Sequence, residues 1–164
     1  MSDTITLRPR REDDWDFIVG LYATTRDQEM AIVPWTDEEK SRFLQQQCRA
    51  QTEHYDRYYE GADFLIVEKN GERIGRLYVD RQPDAVLVLD IAIMPEHRNG
   101  GLGTRLMRQV MEEAAAEGKS VTIHVENFNP ARHLYDRLGF RYVDTNGVYH
   151  LMEWRAQEKE TAWS

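Results

Sequence analysis

The chain has 164 residues, of which 41% are hydrophobic, 10% aromatic and 30% charged. That is the length of one ordinary domain, with enough apolar material for a packed core and none of the low hydrophobicity that keeps a chain disordered. A formal net charge of −8 argues against a duplex nucleic-acid binder, which shows a basic face, and suits a cationic partner such as an amine.

The one cysteine, Cys48, excludes an intrachain disulfide framework and a multi-cysteine zinc site, so no metal is expected. The opening segment MSDTITLRPRRED is polar and charged, and no apolar stretch approaches the roughly 18–20 residues of a membrane span. A soluble, cytoplasmic protein without membrane or nucleic-acid partners is expected. No repeat and no Gly/Ser/Pro-rich linker interrupts the sequence, which predicts one domain over residues 1–154 and a polar tail over 155–164.

In chain order, residues 4–8 alternate in the strand manner, and residues 11–22 carry Trp15, Ile18, Val19 and Tyr22 at helical spacing. Pro34 and Trp35 interrupt the next stretch. Thr36 with Glu39 forms a capping-box pattern that predicts a helix over 37–59, ended by Gly61. Residues 64–69, Asn70-Gly71 and 73–80 predict a hairpin, because Asn-Gly tolerates the positive φ angles of a type I′ turn. Residues 85–94 (AVLVLDIAIM) form a nearly continuous apolar run, as in a strand covered on both faces. A helix over 102–117 follows, with Leu102, Leu106 and Val110 on one stripe, then a strand over 121–126. Asn129 as N-cap and Pro130 at the first helical position predict a helix over 130–138, closed by Gly139. Strands over 140–143 and 148–154 flank Asn146-Gly147. This order mixes a meander with one β-α-β crossover, and fits neither an all-parallel sheet nor a sandwich.

The sharpest local feature is Arg98-Asn99-Gly100-Gly101-Leu102-Gly103-Thr104, between the apolar strand and its helix. The first amides of a helix have no intrahelical partner, the helix dipole adds positive potential, and glycines let backbone close on an anion. A phosphate or diphosphate is the natural occupant. A P-loop would require Gly-Lys-Ser/Thr, and no lysine follows Gly103; a dinucleotide fingerprint would require a third glycine, where Leu106 stands. What remains is Arg98-x-x-Gly101-x-Gly103.

That pattern resembles the coenzyme A diphosphate loop of the GNAT superfamily of acetyl-CoA-dependent N-acyltransferases. Asn129-Pro130-Ala131-Arg132-His133-Leu134-Tyr135-Asp136-Arg137-Leu138-Gly139-Phe140 resembles the same superfamily's Asn-x-Ala-x-x-Leu-Tyr-x-x-x-Gly-Phe segment. The resemblance covers about residues 64–154. It implies a mixed α/β fold with a central, mostly antiparallel sheet of six or seven strands, helices on both faces and acetyl-CoA as cosubstrate. It places Ile91, Ala92 and Ile93 beside the pantetheine arm. The amides of Asn99, Gly100, Gly101, Leu102, Gly103 and Thr104 fall on the diphosphate with Arg98, and the phenol of Tyr135 near the thioester sulfur as general acid. Asn129 would contact the cofactor or cap its helix.

A base is less defined. Asp90 is the one ionisable side chain within the apolar strand, and serves either as a structural carboxylate or as a base acting through water. Glu126, His124 and water are the alternatives. Asp27, Glu29 and Trp35 could rim a cationic acceptor, while His54, Tyr55, Tyr58 and Tyr59 form an aromatic cluster suited to packing or to a homodimer. The expected activity is direct acetyl transfer from acetyl-CoA to the primary amine of a small molecule. The alternatives are a protein or peptide acceptor and a coenzyme-A-binding module without turnover.

Overall fold

The computed structural model describes residues 3–126, 132–146 and 149–156. Its elements are β1 (Ile5–Pro9), α1 (Trp15–Thr25), α2 (Asp27–Ala31), α3 (Asp37–Tyr58), β2 (Asp63–Lys69), β3 (Glu72–Arg81), β4 (Ala85–Ile93), α4 (Leu102–Ala116), β5 (Ser120–Glu126), α5 (Arg132–Leu138), β6 (Arg141–Asn146) and β7 (Tyr149–Trp154), with 3-10 turns at Glu12–Asp14 and Pro95–His97. The strands form a seven-stranded sheet in the order β1-β2-β3-β4-β5-β7-β6. β1 with β2, β5 with β7 and β6 with β7 are antiparallel, whereas β4 and β5 run parallel across the α4 crossover. This is the mixed, mostly antiparallel sheet that was expected.

Local sequence explains most boundaries. Thr36 accepts from the Glu39 amide at 3.1 Å while the Glu39 carboxylate accepts from the Thr36 amide at 3.2 Å, so the capping box opens α3. Asn70 and Gly71 have φ of 52° and 83°, as the β2–β3 turn requires.

Three boundaries differ from expectation. The helix expected from residue 11 begins instead as a 3-10 turn followed by α1, because Asp14 is drawn away from the helix surface into an arginine network. The short helix α2 occupies part of the stretch before Pro34. β6 runs on to Asn146, with an irregularity between Tyr142 and Asp144, because its register with β7 continues to Asn146↔Tyr149. Asn129, Pro130, Ala131 and Gly147 lie outside the described residues.

The chain gathers into two compact units, Met1–Tyr78 with Asp90–Gly100, and Val79–Leu89 with Gly101–Ser164. In the first, Ile18 and Tyr22 of α1, Leu44 and Cys48 of α3 and Ile66 of β2 form the core, flanked by Trp15, Phe17, Val19, Ala23, Met30 and Phe43. Each large apolar side chain buried there contributes roughly 1.5–3 kcal/mol. In the second, α4 turns Leu106, Met107, Val110, Met111 and Ala114 inward at three- and four-residue spacing. Val121, Ile123 and Val125 of β5 alternate into the same interior, joined by Phe140 and Met152. No helix among the described residues is long and apolar enough to cross a membrane.

Candidate functional site

The glycine loop adopts the conformation its sequence demands. Asn99 has φ of 66° and Gly101, the N-cap of α4, has φ of 82°. Asparagine tolerates the left-handed region, while at Gly101 a side chain would add strain. The first intrahelical bond is Arg105 N to Gly101 O at 3.0 Å, so the amides of Leu102, Gly103 and Thr104 precede the helical ladder. No side chain caps this end of α4, and its first turn carries no acid. A Cβ on Gly100 or Gly101 would have no atom within 4 Å, so the loop presents bare backbone to open space. An uncapped, acid-free helix start behind bare glycines fits the diphosphate of coenzyme A.

Upstream, β4 delivers Asp90, Ile91, Ala92 and Ile93 and then the loop. Ala92 and Ile93 are each 8% exposed, and Ile91 is half-buried. The parallel register with β5 runs from Ala85↔Ser120 to Val88↔Ile123, before this segment begins. Arg98 braces the segment: its Nε donates to the Ile93 carbonyl at 2.8 Å and its Nη2 to Thr24 Oγ1 at 3.2 Å. Gly75 of β3 stands against it so closely that a Cβ would lie 2.4 Å from the Ala92 carbonyl oxygen and 2.8 Å from Ile93 Cδ1.

Asp90 forms an ion pair with Arg76 of β3, a buried side chain that also donates from Nη2 to Gln51 Oε1 of α3 at 2.8 Å. Burial works against the Arg76 charge, and Asp90, together with Tyr78, Tyr55 and Cys48, more than offsets it, so the guanidinium is held above its ordinary range. Cys48 is fully buried on α3, where burial pushes its thiol up, away from the reactive thiolate.

In the other unit, Tyr135 is 4% exposed on α5, with its ring 5.8 Å from that of Phe140. The Cβ position of Gly103 lies 3.7 Å from Leu134 Cδ2, so α5 packs directly beside the start of α4. One residue of each sequence motif, Gly103 and Leu134, therefore meets the other in space. His124 is exposed on β5, Trp35 stacks edge-on against Phe43 at 5.3 Å, and Glu29 pairs with Arg26 at 3.0 Å. His54 lies 4.8 Å from exposed Tyr58, and Tyr55 turns inward to Tyr78 at 5.9 Å. Arg76, Gln51, Gly75 and Thr24 escaped the reading of the sequence. Only Arg76 and Gly75 left a trace there, as a charge and a glycine inside a strand.

A mixed sheet with one parallel crossover, a bare glycine loop leading into its helix, and a helix bearing a buried tyrosine packed against the start of that helix make the frame of an acyl-CoA-dependent transferase. The acetyltransferase (GNAT) family matches residues 20–140, and the chain belongs to that family. Membership makes it an acyltransferase with acetyl-CoA as acyl donor.

Among its relatives, a Bacillus subtilis (strain 168) protein provisionally named as a ribosomal protein bS18-alanine N-acetyltransferase is 27% identical over 164 residues, covering 94% of this chain and 97% of its own. The PaiA N-acetyltransferase of Thermoplasma acidophilum, solved in complex with coenzyme A, superposes with a TM-score of 0.70 at 16% identity, covering 93% and 99%. The ribosomal-protein-S18-alanine N-acetyltransferase of Escherichia coli superposes with a TM-score of 0.63 at 16% identity, covering 96% and 98%.

Proposed function

We propose that the acceptor is the α-amine of a protein, in the manner of an alanine N-acetyltransferase. The observation that carries this reading is the full-length similarity to the Bacillus subtilis relative, which spans residues 23–60, where the sequence alone gave no acceptor. An alanine within a protein has a free amine only when it stands first in the chain, so the relative's name specifies an N-terminal α-amine. The comparisons thus favour the alternative of a protein acceptor over the small-molecule acceptor expected first. A cytoplasmic location goes with this reading.

An α-amine suits the groups at hand. Its pKa of about 7.7–8.0, against about 10.4 for lysine, leaves roughly a tenth of it unprotonated at neutral pH without a strong base. Bound acetyl-CoA supplies an activated acetyl group as a thioester. The amides of Asn99, Gly100, Gly101, Leu102, Gly103 and Thr104 hold the diphosphate, and Ile91, Ala92 and Ile93 line the pantetheine arm. The amine nitrogen forms the new C–N bond as the C–S bond of the thioester breaks; its surplus proton passes to water, and Tyr135 gives its Oη proton to the departing thiolate as general acid. Asn129 lies outside the described residues. Transfer is direct, and the buried, protonated Cys48 supports that reading because it offers no nucleophile for an acyl-enzyme.

Thiol release from acetyl-CoA tests this, with three acceptors compared: a ribosomal protein bS18 peptide beginning with alanine, the same peptide N-terminally blocked but carrying lysine, and spermidine. Turnover confined to the free alanine peptide is expected. Equal or greater turnover with spermidine would overturn the reading and restore the small-molecule acceptor.

A further inference from the structure

Arg76 is the one cation among the described residues that is buried in the core. Its Nη2 carries two partners, Gln51 Oε1 and Asp90 Oδ2, while its Nε and Nη1 have no hydrogen-bond partner. The guanidinium carbon lies 4.8 Å from the Tyr78 ring centroid. An arginine whose task was to pin β3 to β4 would present its two-nitrogen fork to the carboxylate and use both donors at once. Here one nitrogen does all the bonding and the other two are desolvated without return. Buried ion pairs of this kind are weaker than apolar packing of the same volume, so this one needs a reason beyond stability.

Asp90 supplies it. Its side chain is 22% exposed while that of Arg76 is 2% exposed, so the pair has an inner, fixed end and an outer, accessible one. The titratable groups facing Arg76 are Asp90, Tyr78 of β3, and Tyr55 and Cys48 of α3. Of these, Asp90 is the one carboxylate, and it is the group in ion-pair contact with the guanidinium.

We propose that Arg76 is a positioning residue, which fixes Asp90 through Oδ2 so that Oδ1 receives and orients the acceptor amine. Asp90 is then a hydrogen-bond acceptor for the nucleophile rather than the base that removes its proton. This rests on the α-amine reading above: such an amine needs orientation more than it needs a strong base. A carboxylate held in place through one oxygen by a buried guanidinium is suited to the former task.

The test is a double-mutant cycle on the full chain with acetyl-CoA and the alanine peptide. Asp90→Asn and Arg76→Lys are each expected to raise KM for the peptide about tenfold while KM for acetyl-CoA stays within about twofold. The double variant should match Asp90→Asn alone, because residues acting through one contact are not additive. The basic rise of kcat/KM with pH should persist in Asp90→Asn, since it reports the amine itself. Additive effects, or loss of that rise with KM unchanged, would overturn the proposal. If Arg76→Lys does not fold, Arg76→Gln takes its place in the cycle, with the same outcomes. Absence of peptide turnover by the wild type would instead overturn the acceptor reading and this inference with it, whereas an active wild type with an additive cycle counts against Arg76 only.

Discussion

Arg98 donates from Nε to the carbonyl of Ile93 at 2.8 Å, tying the first side chain of the glycine loop back to the strand the loop leaves. Its Nη2 reaches Thr24 Oγ1 on α1, so one guanidinium fastens the end of β4 and a neighbouring helix. Its place in the fold is thus to hold the backbone on which the cofactor would rest, whatever it adds as a charge. Arg98→Ala removes two hydrogen bonds, each contributing about 0.5–1.5 kcal/mol. Calorimetry is expected to show acetyl-CoA affinity weakened about tenfold or more, with Arg98→Lys failing to recover it because lysine has no Nε fork. Full affinity in both variants would show that the brace is idle.

Gly100 and Gly101 separate fold from ligand. Both would place a Cβ in open space, but only Gly101 has positive φ, at 82°. Gly101→Ala should therefore cost about 1–2 kcal/mol of stability from backbone strain alone. Gly100→Ala should leave the melting temperature nearly unchanged while lowering acetyl-CoA affinity at least tenfold, because its methyl group enters the space a diphosphate would occupy. Undiminished affinity for Gly100→Ala would remove the anion from that side of the loop.

The glycine loop and its place at the start of α4 were legible in the sequence because the signals are local. A helix start, three glycines and an apolar strand sit within about twenty consecutive residues, and backbone amides need no distant partner to bind an anion. The capping box at Thr36 and the turn at Asn70 were legible for the same reason. Arg76 was not, because its meaning depends on Asp90 from a neighbouring strand and Gln51 from α3, which only the fold brings together. Gly75 was equally opaque: a glycine within a strand signals close approach without saying to what, and here it is the Ala92 carbonyl. The 3-10 turn before α1 was missed because Asp14 reads as an ordinary first-turn acid until Arg8 and Arg73 are placed around it.

Tyr135 is buried on α5, so replacing it with phenylalanine keeps the ring in its packing against Phe140 and removes only Oη. If the phenol is the general acid, Tyr135→Phe should lower kcat about a hundredfold or more, the range typical of a lost proton donor, while acetyl-CoA affinity holds within about twofold. Thermal melting checks that the loss is chemical: the variant should stay within about 1 kcal/mol of wild type. A normal kcat would assign the residue to packing.

Asp14 is fully buried, and its carboxylate accepts from Arg8 Nη1 and Nη2 at 2.8 Å each, from the Arg11 amide at 2.7 Å and from Arg73 Nη1 at 3.2 Å. The Arg8 hydrogen bonds, opposed by burial and aided by Arg11 and Arg73, hold the Asp14 carboxyl well below the usual carboxylate range. Because the folded state binds this proton more weakly than the unfolded chain, whose aspartates titrate near about 3.9, the network stabilises fully above that pH. Its contribution is lost progressively as pH falls below about 4 toward the folded-state value. Asp14→Asn leaves two guanidinium groups facing a neutral side chain and should cost about 3 kcal/mol at pH 7. Denaturant unfolding of wild type and variant should show that gap constant from about pH 5 upward and narrowing between about pH 4 and pH 2. A gap of the same size at pH 2 would mean that Asp14 acts through packing rather than through its charge.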